Sequence, residues 1–491
     1  MTAVAPPASP QRDTVEVLGR SVPYKYIVAS VYVTAMFLDI LDVTITNVAL
    51  PTLGRDLHSN NSEWVILGYT LSLAVWIPAS GWLGDRIGTK RVFMFAFIAF
   101  ITGSLACASA QSMTQLIAFR VLQGVGGGML TPVGLAMLFR AFPPAERARA
   151  STIIMIPTMI APALGPVLGG LLVTHASWRW IFIINLPVGV LGIVIGLTCL
   201  REHREPTAGR FDLPGFLLSG SALALIVYAL SEGPSEGWRS PTVLTTGGLG
   251  VVLAIAMVSV ELHVAQPMLE LRLLRNRLFR QCNLMSLFSS MGFLGLTFVM
   301  PLYLQLLRGQ DALSSGLTTF PQALGLMVSS QVAGRAYARV GPRRLMAGGL
   351  FVAGLVILSF TTLDLHTSLW EIRALMFTRG LCMGFAFVPM QAAAYATIDP
   401  KDNGRASSIF STQRQVGVSL GVAIMASVLV TFMPLVGRPP DPGRALTGFH
   451  LAFGCTVVLS FVAATCALFV PDSDAVHTRS VRGGVRDVAA H

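Results

Sequence analysis

IVASVYVTAMFLDILDVTITNVAL, residues 27–50, is an apolar run long enough to cross a membrane, and two carboxylates, Asp39 and Asp42, lie inside it. About 20 apolar residues in a helix span a hydrocarbon core of about 30 Å. A carboxylate at that depth costs a few kcal/mol or more, so it is rarely kept without a purpose. Every other Asp or Glu falls at or beyond the edge of an apolar run. The two positions lie three residues apart, on one helix face, with Thr46 a turn further on.

The same kind of run recurs along the chain. Apolar stretches at 26–50, 63–83, 91–110, 114–140, 149–174, 180–200, 213–231, 241–262, 279–303, 313–337, 344–363, 371–397, 406–433 and 448–470 predict about fourteen membrane-spanning helices. Only 12% of the 491 residues are charged and mean hydropathy is +0.66, whereas soluble domains carry about 25% charged residues. Short alternating segments, the mark of a membrane β-barrel, do not occur. The fold class is an all-α polytopic membrane protein.

The net charge of +11 does not point to nucleic acid. Sorted by alternate loops, about 25 Lys and Arg fall on the side of the termini and about 7 opposite, which places both termini in the cytoplasm. Arg86, Lys90, Arg91, Arg147, Arg149, Arg272, Arg275, Arg277, Arg339, Arg343 and Arg344 mark that side. Residues 1–23 hold no apolar core, so no cleavable signal is expected and the first span is the insertion signal. Six cysteines lie in or near apolar runs without metal-ligand spacing, and the eight histidines lie in loops, near helix ends or in the tails. Nothing suggests a metal, a haem or an enzyme.

An internal repeat divides the chain. GWLGDRIGTKR (81–91) and GRAYARVGPRR (334–344) align without a gap, matching Gly81, Arg86, Gly88 and Arg91 with Gly334, Arg339, Gly341 and Arg344. FRVLQG around Arg120 and FTRGLCMG around Arg379 form a looser echo. Two halves in one orientation, with substrate between them, are a transporter plan. The expected organisation is a cytoplasmic tail (1–25), a six-helix half (26–200), a linker with two unmatched spans (201–278), a second six-helix half (279–470) and a cytoplasmic tail (471–491).

Four features carry mechanism. Asp39 and Asp42 are candidates for loading and releasing a proton, their titrations coupled by proximity. Arg120 lies within a span and needs a partner there; Gln123 and Gly124, Gly126, Gly127 and Gly128 follow it. In APALGPVLGGLL (161–172) prolines remove donors and glycines remove side chains, which suits either close packing or a hinge or seal between the halves. In the loop GWLGDRIGTKR, Gly81, Gly84 and Gly88 allow a tight turn. Asp85 can accept from a helix terminus or from a basic side chain across the half-interface, a latch absent from the second copy, where Ala338 stands.

These motifs resemble those of the major facilitator superfamily, and specifically its fourteen-helix drug:proton antiporters. LDVTITNVALP (41–51) resembles the first-span motif, GWLGDRIGTKR the loop between spans 2 and 3, RVLQG (120–124) the span-4 motif, and ALGPVLGG (163–170) the antiporter motif of span 5. PLYLQ (301–305) and RQVGVSLGVA (414–423) resemble second-half patterns. The resemblance implies the major facilitator fold, with Asp42 as the protonatable acid and Arg120 as its coupling arginine. It also implies that Gly81, Asp85, Arg86, Gly88 and Arg91 form the gating loop, and Gly165, Pro166, Gly169 and Gly170 the antiporter motif. Asp39 lies outside the usual pattern.

The expected function is proton-driven export of drugs or lipophilic, including cationic, small molecules across a bacterial cytoplasmic membrane. Export of one endogenous product, proton-coupled import and a non-transporting receptor are the alternatives. Trp64, Tyr69, Gln123, Tyr303, Gln305 and Arg414 are candidates to line the substrate cavity. Protons are the coupling ion and no other cofactor is expected. The bilayer and a small molecule are the partners, and a monomer is expected to suffice; some family members use a periplasmic adaptor, but no residue here marks an attachment site.

Overall fold

In a membrane the backbone must satisfy its own hydrogen bonds, so apolar runs of this length become helices. The computed structural model describes residues 14–17, 20–59, 61–142, 147–204, 211–264, 267–398, 402–432 and 442–471. The outer parts of both expected tails (1–13, 472–491) and the side chains of Arg147 and Arg149 lie outside the described residues.

The first half comprises α1 (Tyr24–Asp56), α2 (Trp64–Ile87), α3 (Thr89–Ser109), α4 (Met113–Ala141), α5 (Arg147–His175) and a sixth rod made of α6 (Trp180–Ile183) and α7 (Asn185–Cys199). A hairpin follows, α8 (Leu213–Glu236) and α9 (Pro241–His263). The second half comprises α10 (Arg277–Leu302, continued by a π-helical turn Tyr303–Leu307), the rod α11 (Ala312–Thr319) and α12 (Pro321–Val340), then α13 (Pro342–Phe360), α14 (Leu369–Ala394), α15 (Asn403–Phe432) and α16 (Pro442–Leu468). Among the described residues, twelve segments are long and apolar enough to cross a membrane. Ile160–His175 of α5 adds a shorter apolar helix, and the less apolar rod α11–α12 packs beside it. A short strand pair, Thr14–Val17 with Arg20–Pro23, precedes α1; the polar N-terminal sequence gave no warning of it.

The repeat is visible in the backbone. Gly88 and Gly341 each end one helix and start the next, with φ of 120° and 89°. Only glycine adopts such a conformation without strain. Each donates its N–H back to a carbonyl four residues earlier, Gly84 and Tyr337 respectively. The expected three-glycine turn is narrower than the sequence suggested, because Gly81 and Gly84 lie within the last turns of α2.

Within the first half α4 packs on α2 and α3, and α1 on α5, α4 and α7. Within the second, α12 packs on α14, α10 on α15 and α16, and α13 on α16 and α14. The halves meet through α5 with α11 and α12, α2 with α15, and α1 with α10. The hairpin is not free-standing: α8 lies against both α2 and α15.

Candidate functional site at the buried carboxylates

Asp42 and Asp39 share α1 but not an environment. Asp42 is fully buried, and Arg120 is 1% exposed. The Arg120 Nη1 group donates to Asp42 Oδ2 and, at 2.8 Å, to Gln123 Oε1; its Nε donates to the carbonyl of Val65 at 3.0 Å. Gln123 Nε2 and Asn185 Nδ2 both donate to Asp42 Oδ1, at 2.9 and 3.1 Å. Asn185 also reaches Ser104 Oγ at 3.0 Å. Five elements of the first half thus converge on one carboxylate. A buried ion pair survives only when its remaining polar atoms are satisfied, and Gln123 and Asn185 supply that here. Asn185 was missed from sequence, although an Asn inside an otherwise apolar span was the signal.

Asp39 is half-buried and accepts from the Tyr69 hydroxyl. The Arg120 guanidinium lies over the Tyr69 ring, 4.1 Å from its centroid, so Tyr69 links the two acidic positions. The glycine run of α4 makes this possible. A Cβ at Gly127 would lie 2.5 Å from Tyr69 Oη and 2.8 Å from Asp39 Oδ1; one at Gly124 would lie 2.7 Å from the Tyr69 carbonyl. These glycines let α4 approach the acids rather than bend.

The α5 motif also divides its glycines between partners. Gly165 and Gly169 face Thr44 and Ile45 of α1; Gly170 faces α11, where a Cβ would lie 2.5 Å from the Ala312 carbonyl, and the Pro166 carbonyl meets Gly316. One helix therefore packs on its own half and the other at once. α5 is continuous through Pro162 and Pro166, so the motif acts here in close packing, not as a break.

These contacts lie on the face opposite the termini. Gln305 Nε2 donates to the Val48 carbonyl at 2.9 Å, and the Leu313 N–H to Thr174 Oγ1 at 3.2 Å, sealing that face. Gln415 Nε2 donates to the Thr70 carbonyl at 3.4 Å, deeper in the bundle. Gly81 and Gly334, equivalent in the repeat, have no neighbour within 4 Å of a built Cβ. Arg414 is exposed in the middle of α15 and Asp39 is partly exposed.

The other candidate residues fall in different places. Trp64 packs against Tyr228 of the hairpin, ring centroids 6.2 Å apart. Tyr69 and Gln123 are buried in the acid network. Tyr303 is buried between Phe449 and Phe453 and donates to the Asp364 carbonyl at 2.7 Å. Asp85 pairs with Arg140 at 3.3 Å, a partner from its own half rather than across the interface, because α2 and α4 end side by side. Arg86 is exposed. Glu202, which sequence reading passed over, clasps the start of α3, accepting from the N–H groups of Lys90 at 3.0 Å and Arg91 at 3.3 Å, with Arg91 Nε 3.6 Å away. An anion is favoured at a helix N-terminus.

The family model described as Major Facilitator Superfamily matches residues 32–422, and again 284–490. The chain belongs to the major facilitator superfamily. It is a multi-pass membrane transport protein and not an enzyme. It is 37% identical over 410 residues to the multidrug resistance protein B homolog of Mycobacterium tuberculosis (strain ATCC 25618 / H37Rv), covering 82% of this chain and 76% of that one. It is 33% identical to the putative multidrug resistance protein MdtD of Serratia proteamaculans (strain 568), covering 81% and 83%. Among solved structures it shares the superfamily fold with a bacterial homolog of the human lysosomal transporter Spinster, in an inward-facing and unoccupied conformation (TM-score 0.65, 17% identity, 94% and 99% covered). An auto-inhibited POT-family peptide transporter gives a TM-score of 0.67 at 14% identity, covering 90% and 96%.

Proposed function

We propose that this superfamily member is a proton-coupled exporter of drugs or lipophilic small molecules, working as a monomer in a bacterial cytoplasmic membrane with both termini inside. The observation that carries the reading is the Asp42–Arg120 pair, buried within one half of a two-half transporter. A proton on Asp42 cancels its charge and leaves Arg120 to Val65 and Gln123 alone. Because Tyr69 and Gln123 lie on helices at or beside the half-interface, that change alters how α2 and α4 pack. The relatives named multidrug resistance proteins support the substrate class.

The energetics are adequate. One charge moving through 100 mV yields about 2.3 kcal/mol, and each pH unit adds about 1.4. One proton therefore sustains a substrate gradient of a few powers of ten.

The test is proton release in inverted vesicles or proteoliposomes on addition of a panel of cationic and neutral compounds. Proton release by the intact protein that vanishes with Asp42→Asn is the expected result. Release that survives the substitution removes Asp42 from the mechanism, and a panel in which nothing dissipates the gradient removes antiport.

A further inference from the structure

Arg414 is a charge without a settled place. It lies on α15, about 17 Å along that helix from its start, and its side chain is exposed. Among the described residues it makes no hydrogen bond or ion pair. A cation at that depth is expensive unless something nearby balances it.

The neighbouring residues say what that is. Gln415, next in sequence, donates to the Thr70 carbonyl of the opposite half. Tyr69, next to Thr70, donates to Asp39. The contact between α15 and α2 therefore brings the Arg414–Gln415 stretch to the Tyr69–Thr70 stretch, which carries the partner of Asp39. Asp39 and Arg414 lie within electrostatic reach of each other, and Tyr395 is the further group acting on Arg414. On its own side Asp39 is met by Tyr69, Tyr32, Asp42 and Arg120. Only one of its oxygens, Oδ1, accepts a hydrogen bond, and that oxygen is held by the space left at Gly127. Oδ2 accepts none among the described residues.

We propose that Arg414 is a tethered cation belonging to Asp39, and that a cationic substrate binds between the halves by displacing it. This rests on the exporter reading for its biological sense. Asp39 supplies the negative charge, Tyr69 orients it, and Arg414 holds the site closed to weak or neutral competitors when no substrate is present. The arrangement leaves the empty site close to neutral, one carboxylate matched by one cation. It also separates two tasks that the pair of acids on α1 would otherwise share: Asp42 sits in a closed network, while Asp39 stays partly exposed.

Equilibrium binding of tetraphenylphosphonium to the purified full chain tests this without any proton gradient. Retained binding of a neutral lipophilic fluorophore and an unchanged elution volume serve as controls of folding. Asp39→Asn is expected to weaken tetraphenylphosphonium at least tenfold with the neutral probe unaffected. Arg414→Gln is expected to tighten it three- to tenfold, and Arg414→Lys to restore the original affinity. Weaker cation binding in Arg414→Gln overturns the proposal, as does a lack of tetraphenylphosphonium binding in both the unaltered protein and that variant. The Arg414→Gln gain should persist in Asp42→Asn. Failure of Asp42 in transport would thus leave this result standing, and failure of this result would leave the coupling test untouched.

Discussion

Each half buries one arginine in the fourth helix of its repeat, and only one of them has an acid. Arg120 on α4 meets Asp42, Gln123 and the Val65 carbonyl. Arg379 on α14 meets Gln322 Oε1 and the carbonyls of Phe293, at 2.9 Å, and Gly292, at 3.5 Å; its Nε has no partner. Where α1 presents a carboxylate, α10 presents backbone. Both guanidiniums also lie over aromatic rings, Tyr69 at 4.1 Å and Phe293 at 4.8 Å. The two sites are therefore alike in shape and unlike in chemistry. A carbonyl cannot take and lose a proton near neutral pH, so only the first-half arginine faces a group with that chemistry.

The sharpest way to break this comparison is to neutralise each side in turn. Asp42→Asn should lower substrate-driven proton release by a hundredfold or more in proteoliposomes, while Arg379→Met should change it by less than threefold. Equal losses would mean that both arginines serve coupling. The same variants should also separate in detergent melting. Removing one partner of a buried pair costs about 3–5 kcal/mol, whereas replacing a buried ion with an apolar group of similar size is often neutral or stabilising. Asp42→Asn should therefore melt well below the parent and Arg379→Met at or above it; the opposite order would refute the electrostatic distinction.

A second prediction concerns how the halves are held together. Gly170→Ala pushes a methyl toward the Ala312 carbonyl across the seal, whereas Gly81→Ala meets open space. Transport should fall about tenfold in the first and remain within a factor of two in the second. Similar effects in both would mean that the halves are not closed on the far face as described.

The smallest effect sharpens the contrast within the first half. Glu63, just before α2 on the far face, is 6% exposed. Burial pushes its carboxyl up to about 7, opposed by its own backbone N–H and reinforced by the charge of Glu232. Unlike Asp42 it has no cation. Because its pKa in the folded protein lies above the ordinary glutamate value, the folded state holds the proton more tightly. It contributes no penalty at pH 4, and stability falls as pH rises through about 7. Glu63→Gln should match the parent at pH 4 and gain up to about 3 kcal/mol by pH 8. A gain independent of pH would assign the effect to packing.

Much of this was readable before any fold was known. The run 27–50 announced a membrane span with acids in it, because length and hydropathy are local properties that the bilayer reads directly. The eleven-residue repeat announced two halves, and Gly88 and Gly341 proved to be the same turn used twice. Individual motifs were legible too, since glycines, prolines and buried charges have few uses in a span. Partners were less so. Asp85 found Arg140 rather than the opposite half, and Trp64 found the hairpin. Asn185 and Glu202 joined sites from distant parts of the chain.

The sequence alone determined that this is a polytopic helical membrane protein with two carboxylates in its first span. Those are consequences of composition and period, which each segment carries by itself. The tertiary structure alone decided that Asp42 is enclosed and Asp39 is not, although they stand three residues apart on one helix face. That difference depends on which other helices approach each carboxylate: α4 and α7 close around Asp42 with Gln123 and Asn185, while Asp39 is met by Tyr69 of α2 and stays partly exposed. Burial is set by neighbours from elsewhere in the chain, and no local pattern encodes it.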